Sequence, residues 1–468
     1  MPKKYHIETK KIARRLPPVG KFGTVDWRED CARCHNCVKK ACVYDRYRQE
    51  MDYIKDLKTV ESLFFECMGC FSCVQSCTKG ILAMTVNPMY ERMGNSYFTP
   101  DIIATTWNQA DTAAIPVSGA GYRGKFTGTG FDAMWTDMSE IVRPTRDGIH
   151  GREYISTAVD IGRKPRLITF DEKGKPSSGL FPLVDIPIPL IIDKLPAKYF
   201  FPTLLPVFAD TARRTGTLLI IDWEHYELLG AEKEQFLPHL VFHLKAGKPL
   251  PPSDILCKTR LVEISDDGNL EKRIKELKSV SPGLVVAVRV DLDAHGEQRA
   301  IELAHQPFIE VIHVVADING NQINVEKPKF VKDMMRHIHT SLVKDGIRDE
   351  VTIMAGGGIA LPEHLAKQML CGADLVSVNM PLMIALECQF CQDCREDLVC
   401  PGKIEEITRE YGVGRMTNLI AAWHDQLIEM MGAMGIREAR RLRGEAGRAM
   451  FFEDLEEDTF GRLFGARK

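Results

Sequence analysis

Residues 354–380, MAGGGIALPEHLAKQMLCGADLVSVNM, contain the end of an apolar strand, three consecutive glycines, a helix and a second strand that ends at Asn379 and Met380. A strand, a covering helix and a further strand form the repeating unit of a parallel sheet. Glycines between a strand and a helix let backbone N–H groups approach a phosphate closely. The stretch therefore predicts one repeat of a parallel α/β domain, with a phosphate site in its glycine turn.

Apolar runs of strand length recur from Ala113 onwards and alternate with amphipathic, helix-like segments such as LEKRIKELKSV at 270–280. The runs are AAIPVSGA (113–120), PRLITF (165–170), TGTLLIID (215–222), LVVAVRV (284–290), FIEVIHVVAD (308–317), VTIMAGGG (351–358) and DLVSVNM (374–380). Such alternation predicts a parallel sheet with both faces covered. Over roughly 275 residues it closes most naturally into a TIM-type (β/α)8 barrel, with an open doubly wound sheet as the alternative.

Two glycine-rich points in this domain are candidate cofactor sites. In barrels of this class the loops after the last two strands bind phosphate, and this assigns Gly356, Gly357 and Gly358. The other point is GAGYRG, which supplies Gly119 and Gly121 and matches G-x-G-x-x-G. More glycines follow at 128 and 130, so no helix is expected to start there, and the segment is either a turn that lines a cofactor or a plain loop.

Fourteen cysteines dominate the chemistry of the chain. Two tandem runs, CARCHNCVKKAC at 31–42 and CMGCFSCVQSC at 67–77, each begin C-x2-C-x2-C, a spacing that lets one loop supply three thiolates to an iron–sulfur cube. Zinc, the alternative, usually takes two separated pairs. The pattern predicts two 4Fe-4S clusters, one held by Cys31, Cys34, Cys37 and Cys77 and the other by Cys67, Cys70, Cys73 and Cys42.

A third group, CQFCQDCREDLVCP at 388–401, follows the last strand directly and contains Cys388, Cys391, Cys394 and Cys400. In a reducing compartment, thiols at such short spacing usually bind metal. Cys257 and Cys371 lie outside the three groups in apolar surroundings, which predicts two buried structural thiols.

Composition limits the function classes. The chain has 468 residues, 44% hydrophobic and 27% charged, and a net charge of −3, which argues against a general nucleic-acid binder. Its basic first fifty residues are either a docking face for an acidic partner or a solvated arm. No apolar run approaches the ~20 residues that a membrane span needs, and no signal peptide is visible, so a soluble cytoplasmic protein with no membrane span is expected.

The segment from Ile353 to Ile404, with its order of glycines, helix, Gly-Ala, strand, small apolar helix and cysteines ending in Cys-Pro, resembles the FMN barrel of the glutamate synthase family. The C-terminal LIEMMGAMGIREARRLRG is similar to the helical tail of that family, and archaeal-type members carry ferredoxin motifs on the same polypeptide. The resemblance is specific over about 350–445 and looser back to about 113.

The resemblance implies FMN as cofactor, with its phosphate at Gly356–Gly358 and the site completed by Asn379 and Met380. It makes Cys388, Cys394 and Cys400 the ligands of a 3Fe-4S cluster. Cys391 is additional in this chain, and a fourth thiolate would complete a 4Fe-4S cube, so both cluster types stay open.

The predicted catalytic residues are Arg289 and Asp317, and here the chain departs from the family. Asp317, in VADINGN, is the only clear match to the family's glycine-rich Gly-His-Asp loop, and Arg289 stands where the family has a substrate-binding lysine. An arginine there would clamp a carboxylate or lie near the flavin N1 and O2, or else form an ion pair with Asp291 or Asp317. The family's Gly-Glu-Gly-Gly substrate loop has no visible counterpart, and the glutaminase half is missing.

The sequence thus predicts four parts: a two-cluster ferredoxin-like domain at 1–95, a linker at 96–112, the FMN barrel at 113–402 and a helical tail at 403–468. Clusters pass single electrons, whereas a flavin delivers them in pairs. Two functions follow: an iron–sulfur flavoprotein that reductively aminates 2-oxoglutarate to glutamate, or an electron-transfer subunit of a larger redox complex without that activity. Either one implies a ferredoxin or another electron-donor subunit as partner.

Overall fold

The computed structural model describes residues 5–16, 19, 21–26, 34, 36, 41, 43, 60–61, 70–115, 128–137, 155–175, 182–391 and 400–465. Near the N-terminus, an antiparallel sheet contains β1 (Phe22–Asp26), β2 (Val60–Glu61) and β3 (Leu82–Val86) in the order β2-β1-β3. Short helices cover Ser72–Gln75 and Pro88–Glu91.

The predicted linker contains a buried helix, Pro100–Thr112. Thr99 accepts a hydrogen bond from the Ile102 amide at 3.5 Å, and Pro100 occupies the first turn, where its missing N–H costs nothing. Eight of the thirteen residues of this helix are buried, so the segment is part of the hydrophobic core and does not serve as a flexible connection.

Eight parallel strands close into a barrel in the order β10-β11-β12-β13-β14-β7-β8-β9. They are β7 (Leu190–Ile192), β8 (Leu219–Asp222), β9 (Leu240–Leu244), β10 (Leu261–Ser265), β11 (Val285–Asp291), β12 (Val311–Val315), β13 (Thr352–Gly356) and β14 (Leu375–Val378). The α-helices of the barrel region are Leu205–Thr215, Lys233–Phe236, Ser253–Leu256, Leu270–Val280, Gly296–Ala304, Val331–Lys344, Pro362–Leu370 and Met380–Ala385. The predicted eight-stranded α/β barrel is therefore confirmed, and the open sheet is excluded.

The first barrel strand differs from the expectation. PRLITF at 165–170 was expected to be a strand of the sheet, but Leu167 and Phe170 are 76% and 62% exposed, and the segment contributes no barrel strand. The run AAIPVSGA extends past residue 115 into a part of the chain that the structure does not describe. The barrel begins instead at Leu190, after the antiparallel pair β5 (Val159–Ile161) and β6 (Val184–Ile186).

The C-terminal region is helical, as expected. Its main element, Arg409–Ala433, packs against the helices Pro100–Thr112, Leu205–Thr215 and Pro362–Leu370. The shorter helices Phe452–Glu456 and Arg462–Phe464 follow β15 (Ala449–Phe451), which pairs with β4 (Met134–Thr136). Among the described residues, no helix is long and apolar enough to cross a membrane.

Candidate active site at the barrel mouth

Two adjoining cavities lie at the carboxyl ends of the barrel strands and share Lys194. One, of about 570 Å³, is lined by Lys194 and by polar residues of β9, β10 and β11 and the loops that follow them. The other, of about 470 Å³, is mostly apolar and extends from Lys194 past Phe200 and Phe201 to β8. In barrels of this architecture the active site lies at this end, so these cavities are the candidate substrate and cofactor site.

Arg289, predicted as catalytic, lines the first cavity with its side chain only 13% exposed. Its guanidinium donates to both carboxylate oxygens of Asp193, at 3.0 and 3.2 Å, and to Glu263 at 3.3 Å. The expected alternative was an ion pair with Asp291 or Asp317, but the partners are Asp193, which directly follows β7, and Glu263, in the middle of β10. Burial alone would lower the pKa of Arg289, yet these two carboxylates raise it, so the side chain carries a permanent positive charge.

Two histidines inside the barrel share the Glu263 carboxylate. The Nδ1 atoms of His243 and His313 lie 2.7 and 2.5 Å from its two oxygens. Since the carboxylate accepts, each Nδ1 carries a proton, and each Nε2 faces a serine: Ser265 at 3.2 Å from His243 and Ser377 at 2.8 Å from His313. Together with Arg289 and Asp193, these residues form one buried polar network. Its members lie on β9, β10, β11, β12 and β14 or directly after β7.

The charges in this network explain why its two carboxyl groups have low pKa values. Burial would raise the pKa of the Glu263 and Asp193 carboxyl groups, but Arg289 and the hydrogen bonds around them outweigh burial and hold both pKa values below their usual range. Two carboxylates against one arginine leave one negative charge uncompensated. The network therefore places net negative charge close to the cavity.

Sequence reasoning missed most of this network: the residues not predicted are Asp193, Lys194, His243, Glu263, Ser265 and Ser377. A usable signal was present. LVFHL in β9 and LVEIS in β10 each place one ionisable residue inside an otherwise apolar strand, where an unpaired charge would be costly. Such residues need buried partners: His243 and Glu263 pair with each other across adjacent strands, and Arg289 and His313 are further partners of Glu263.

The glycine turn after β13 is as tight as expected. Gly357 has φ +92° and Gly358 has φ +70°, the left-handed region that side chains rarely adopt. A Cβ on Gly358 would lie 2.6 Å from the Cα of Gly320, and one on Gly356 would lie 2.4 Å from the Ser377 hydroxyl. The glycines are therefore required by close packing against the protein's own atoms. The turn lies at the carboxyl end of β13, the seventh barrel strand, where barrels of this architecture bind phosphate, and the predicted phosphate site stays a prediction.

The remaining predicted flavin residues lie around this turn. Asn379 caps the helix Met380–Ala385 by accepting from the Met380 amide at 2.6 Å, and its amide donates to the Lys194 carbonyl at 3.2 Å. It thus joins the loops after β14 and β7, whereas Met380 itself is buried. Gly119 and Gly121 lie outside the described residues, so their predicted role stays a prediction.

Asp317, the second predicted catalytic residue, forms its hydrogen bonds within its own loop. Its carboxylate accepts from the amides of Asn319 at 2.9 Å and Asn321 at 2.7 Å. Its carbonyl lies 2.5 Å from where a Cβ on Gly357 would be. The contacts support a role in shaping the loop beside the glycine turn, and a catalytic role remains a prediction.

The cysteine loop, defined here as residues 387–403, is closed at its base. Glu387 and Phe390 adopt positive φ values of +71° and +52°, and a Cβ on Gly402 would lie 2.8 Å from the Glu387 carbonyl. Cys388 is buried, whereas Cys391 and Cys400 are half-buried. Cys394 lies outside the described residues. Within the described part of the chain, no three His, Cys, Asp or Glu side chains are grouped as a metal-ion site, although a closed loop with thiols at both ends fits an iron–sulfur cluster by its donor chemistry.

Four of the eight predicted ferredoxin-type ligands are described: Cys34, Cys70, Cys73 and Cys77. The Sγ of Cys34 lies 3.7 Å from the hydroxyl of Thr78, next to Cys77. Hydrogen bonds, first from Ser72 and also from the Val43 amide, lower the pKa of Cys70, which places it beside the neighbour of Cys42. The exchange of fourth ligands between the two runs stays a prediction. Cys31, Cys37, Cys42 and Cys67 lie outside the described residues.

The two cysteines outside the groups behave differently. Cys371 is buried, as expected, and burial raises the pKa of its thiol to about 12. Cys257 is exposed, so the prediction of a buried thiol was wrong there. It follows the short helix Ser253–Leu256 on the surface of the barrel.

Comparisons with known proteins agree with this architecture. Residues 248–437 match the family model for the conserved region in glutamate synthase. An archaeal-type glutamate synthase (NADPH) of Dehalococcoides mccartyi is 24% identical over 480 residues, covering 90% of this chain and 93% of that protein. The archaeal glutamate synthase (NADPH) of Archaeoglobus fulgidus is 22% identical over 505 residues, covering 93% and 96%.

A third relative, the archaeal glutamate synthase (NADPH) of Methanocaldococcus jannaschii, is 24% identical over 484 residues, covering 89% of this chain and 92% of that protein. Among solved structures, a flavocytochrome b2 mutant with benzoylformate is 13% identical with a TM-score of 0.39, over 66% of this chain and 82% of that chain. That structural similarity is too low to carry a functional argument. These matches confirm the resemblance to the glutamate synthase family: residues 248–437 contain that family's conserved region, and the chain is similar to archaeal-type glutamate synthases over about nine-tenths of its length.

Proposed function

We propose that the chain carries electrons from its N-terminal cysteine runs through a cluster in the cysteine loop to FMN at the barrel mouth, and there reduces 2-iminoglutarate, formed from 2-oxoglutarate and ammonia, to glutamate. The relatives are named glutamate synthases with NADPH as reductant, so the electron source is a ferredoxin or a partner subunit that oxidises NADPH. The chain's own residues support this proposal at the cysteine loop and at the barrel mouth.

One observation carries the proposal: the cysteine loop contacts both the N-terminal region and the barrel mouth. Phe390, between Cys388 and Cys391, lies 5.1 Å from Phe98 and 5.6 Å from Tyr199, measured between ring centroids. Phe98 follows β3 and the cysteine runs, and Tyr199 belongs to the segment after β7 that borders the apolar cavity. A cluster in this loop would therefore lie between the donor and the flavin.

The residues at the mouth supply polar contacts for a substrate. When bound, FMN supplies a hydride from its reduced ring, and the clusters supply single electrons. Lys194 lines both cavities, and its ammonium donates to Asp222 at 3.0 Å, so its remaining N–H donors would bind a substrate carboxylate. His243 also faces the cavity, with its Nε2 3.2 Å from the Ser265 hydroxyl.

The alternative function, an electron-transfer subunit without synthase activity, is favoured by one observation. Arg289 stands at the position of the family's substrate-binding lysine, but its guanidinium is engaged by Asp193 and Glu263. A side chain held in this way is less available to a substrate carboxylate. The structure therefore supports a pocket that differs from that of a conventional glutamate synthase.

The deciding experiment is an assay of chemically reduced protein with 2-oxoglutarate and either ammonia or glutamine. The proposal expects glutamate to form at a rate matching flavin reoxidation, and expects acid extraction to release FMN. Iron analysis should give about eleven or twelve atoms per chain. Flavin reoxidation that is indifferent to 2-oxoglutarate would support the relay function, and zinc in place of iron would refute both.

A further inference from the structure

The N-terminal arm, defined as residues 5–16, lies along the chain's own surface. Ile12 donates its amide to the Asp111 carbonyl at 2.8 Å, and Asn418 donates to the Lys10 carbonyl at 2.8 Å. At Gly414, a Cβ would lie 2.3 Å from the Cδ1 atom of Ile12, so the arm and the helix Arg409–Ala433 are in close contact. The described arm is thus packed against the chain, with Lys10 and Lys11 still exposed to solvent, and a docking role for the basic first fifty residues stays a prediction.

Four of the basic side chains described near the N-terminus form ion pairs within the chain. The pairs are Lys10 with Glu410, Arg14 with Asp111, Arg15 with Glu387 and Lys21 with Asp101. Three of these acidic partners belong to the helix Pro100–Thr112 or to the helix Arg409–Ala433, and the fourth, Glu387, is the first residue of the cysteine loop.

Arg15 contacts both ends of the cysteine loop. At the start of the loop, its amide and its Nε donate to the two carboxylate oxygens of Glu387, at 2.7 and 3.1 Å. At the end of the loop, its Nη2 donates to the Gly402 carbonyl at 2.7 Å and its Nη1 to the Lys403 carbonyl at 3.3 Å. One residue of the arm therefore joins the segment before Cys388 to the segment after Cys400.

The Glu387 carboxylate depends on this contact. Its side chain is 1% exposed, and its further donor is the Tyr411 hydroxyl at 2.9 Å. When a buried carboxylate loses its cationic partner, the folded state is strongly destabilised, because the negative charge stays out of water with no counter-charge beside it. Removal of the Arg15 side chain would therefore disturb the backbone next to Cys388 and release the carbonyls that follow Cys400.

We propose that the N-terminal arm is a clasp for the cysteine loop, and that Arg15 is a positioning residue that holds together the two described ends of the loop, before Cys388 and after Cys400. The inference rests on the proposed function, since it presumes a third cluster bound by cysteines at both ends of this loop. Ligands at both ends of a loop bind one cluster only if the ends stay together, and the contacts of Arg15 with Glu387, Gly402 and Lys403 hold them together. Its role is structural and not catalytic.

The test compares Arg15→Ala with Lys10→Ala, a control that removes a basic side chain from the same arm whose ion pair, with Glu410, is largely exposed. In anaerobic protein, we expect Arg15→Ala to release three or four irons per chain to a chelator about tenfold faster than wild type, since several charge-assisted bonds are lost. The electron paramagnetic resonance signal of the third cluster should broaden or disappear, while Lys10→Ala should match wild type.

The outcomes separate the clasp from the proposed function. Full iron content, an unchanged spectrum and a wild-type release rate in Arg15→Ala would overturn the clasp. A wild-type protein with only about eight irons and no third signal would refute the third cluster itself. If Arg15→Ala does not fold, Arg15→Lys and Glu387→Gln carry the test, because both keep the side-chain volume while weakening the contact. Each should then show faster iron release than Lys10→Ala.

Discussion

Arg289 determines whether the polar network at the barrel mouth is stable. Replacement by methionine keeps much of the side-chain volume but leaves Asp193 and Glu263 buried without their cation. Breaking a buried ion pair in this way costs about 3–5 kcal/mol. We expect Arg289→Met to lower the free energy of unfolding by that order, as measured by urea denaturation at pH 7.

The pH dependence of this effect has a defined sign. The pKa values of Asp193 and Glu263 lie below their usual range in the folded chain, so their ionisation stabilises the fold fully above about pH 4.5, and that contribution is lost progressively as the pH falls below this value toward the lowered folded pKa values. The difference between Arg289→Met and wild type should therefore shrink below pH 4. Arg289→Lys, which keeps a cation, should show a smaller loss at pH 7, and an equal loss would contradict the charge argument.

At the residue scale, the sequence identified single positions better than their partners. Arg289 was predicted as a functional residue from the resemblance, but its contacts with Asp193 and Glu263 were not, because the three residues are separated by 26 to 96 positions in the chain. Barrel closure brings them together. The same applies to the N-terminal arm: its basic residues were evident, whereas their acidic partners lie up to 400 positions away.

The helix Pro362–Leu370, which follows the glycine turn, contains an ionisable residue that the proposed mechanism does not use. Glu363 is 6% exposed and accepts from Gln426 of the helix Arg409–Ala433 at 3.3 Å. Burial raises the pKa of the Glu363 carboxyl to about 7. The packing of these two helices should therefore depend on pH.

We predict that Glu363→Gln stabilises the chain at pH 8. Between about pH 4.5 and 7 the folded wild type holds a proton that the unfolded chain has released, so its stability falls as the pH rises through this window, by about 3 kcal/mol in total. Glutamine removes this cost and still accepts from Gln426. Urea denaturation at pH 5.5 and pH 8 should show the wild type losing stability between the two values and the variant losing less.

A control isolates this carboxyl. Glu410→Gln changes an exposed glutamate of the neighbouring helix, whose pKa is lowered by Lys10, and should leave the loss between pH 5.5 and pH 8 unchanged. If Glu363→Gln and wild type lose the same free energy of unfolding between pH 5.5 and pH 8, the titrating group does not lie in the interface of these two helices.

At the element scale, the strands predicted well were those with uninterrupted apolar runs, such as β13 and β14. Strand β7 was missed because Pro187 and Pro189 precede it and disturb the pattern. Strands β9 and β10 were missed as well, whereas β11 and β12 were predicted although each also contains one ionisable residue, Arg289 or His313. PRLITF has strand composition but is exposed. Composition alone does not distinguish a barrel strand from such a segment, since burial depends on which faces the rest of the chain covers.

Across the whole molecule, the segment Gly94–Tyr97 connects the N-terminal region to three loops at the barrel mouth. Gly94 donates its amide to the Gln389 carbonyl of the cysteine loop at 3.0 Å. Asn95 donates to Asn319, in the loop after β12, at 3.0 Å. The Tyr97 hydroxyl donates to the Gly358 carbonyl in the glycine turn. The segment that leaves the cysteine runs is therefore positioned to couple them to the proposed flavin site.

We predict that Tyr97→Phe weakens FMN binding about three- to tenfold without changing iron content. The lost hydrogen bond orients the Gly358 carbonyl, and with it the neighbouring amides that would face the phosphate, and a bond of this kind contributes about 1 kcal/mol. FMN titration of the flavin-free protein, followed by fluorescence quenching, measures the effect. Tyr5→Phe is the matched control, because the Tyr5 hydroxyl also donates to a backbone carbonyl, that of Thr215, at the other end of the barrel. Equal FMN affinity in wild type, Tyr97→Phe and Tyr5→Phe would show that Tyr97 does not contribute to FMN binding. Loss of iron in Tyr97→Phe would show instead that Tyr97 stabilises the cysteine loop.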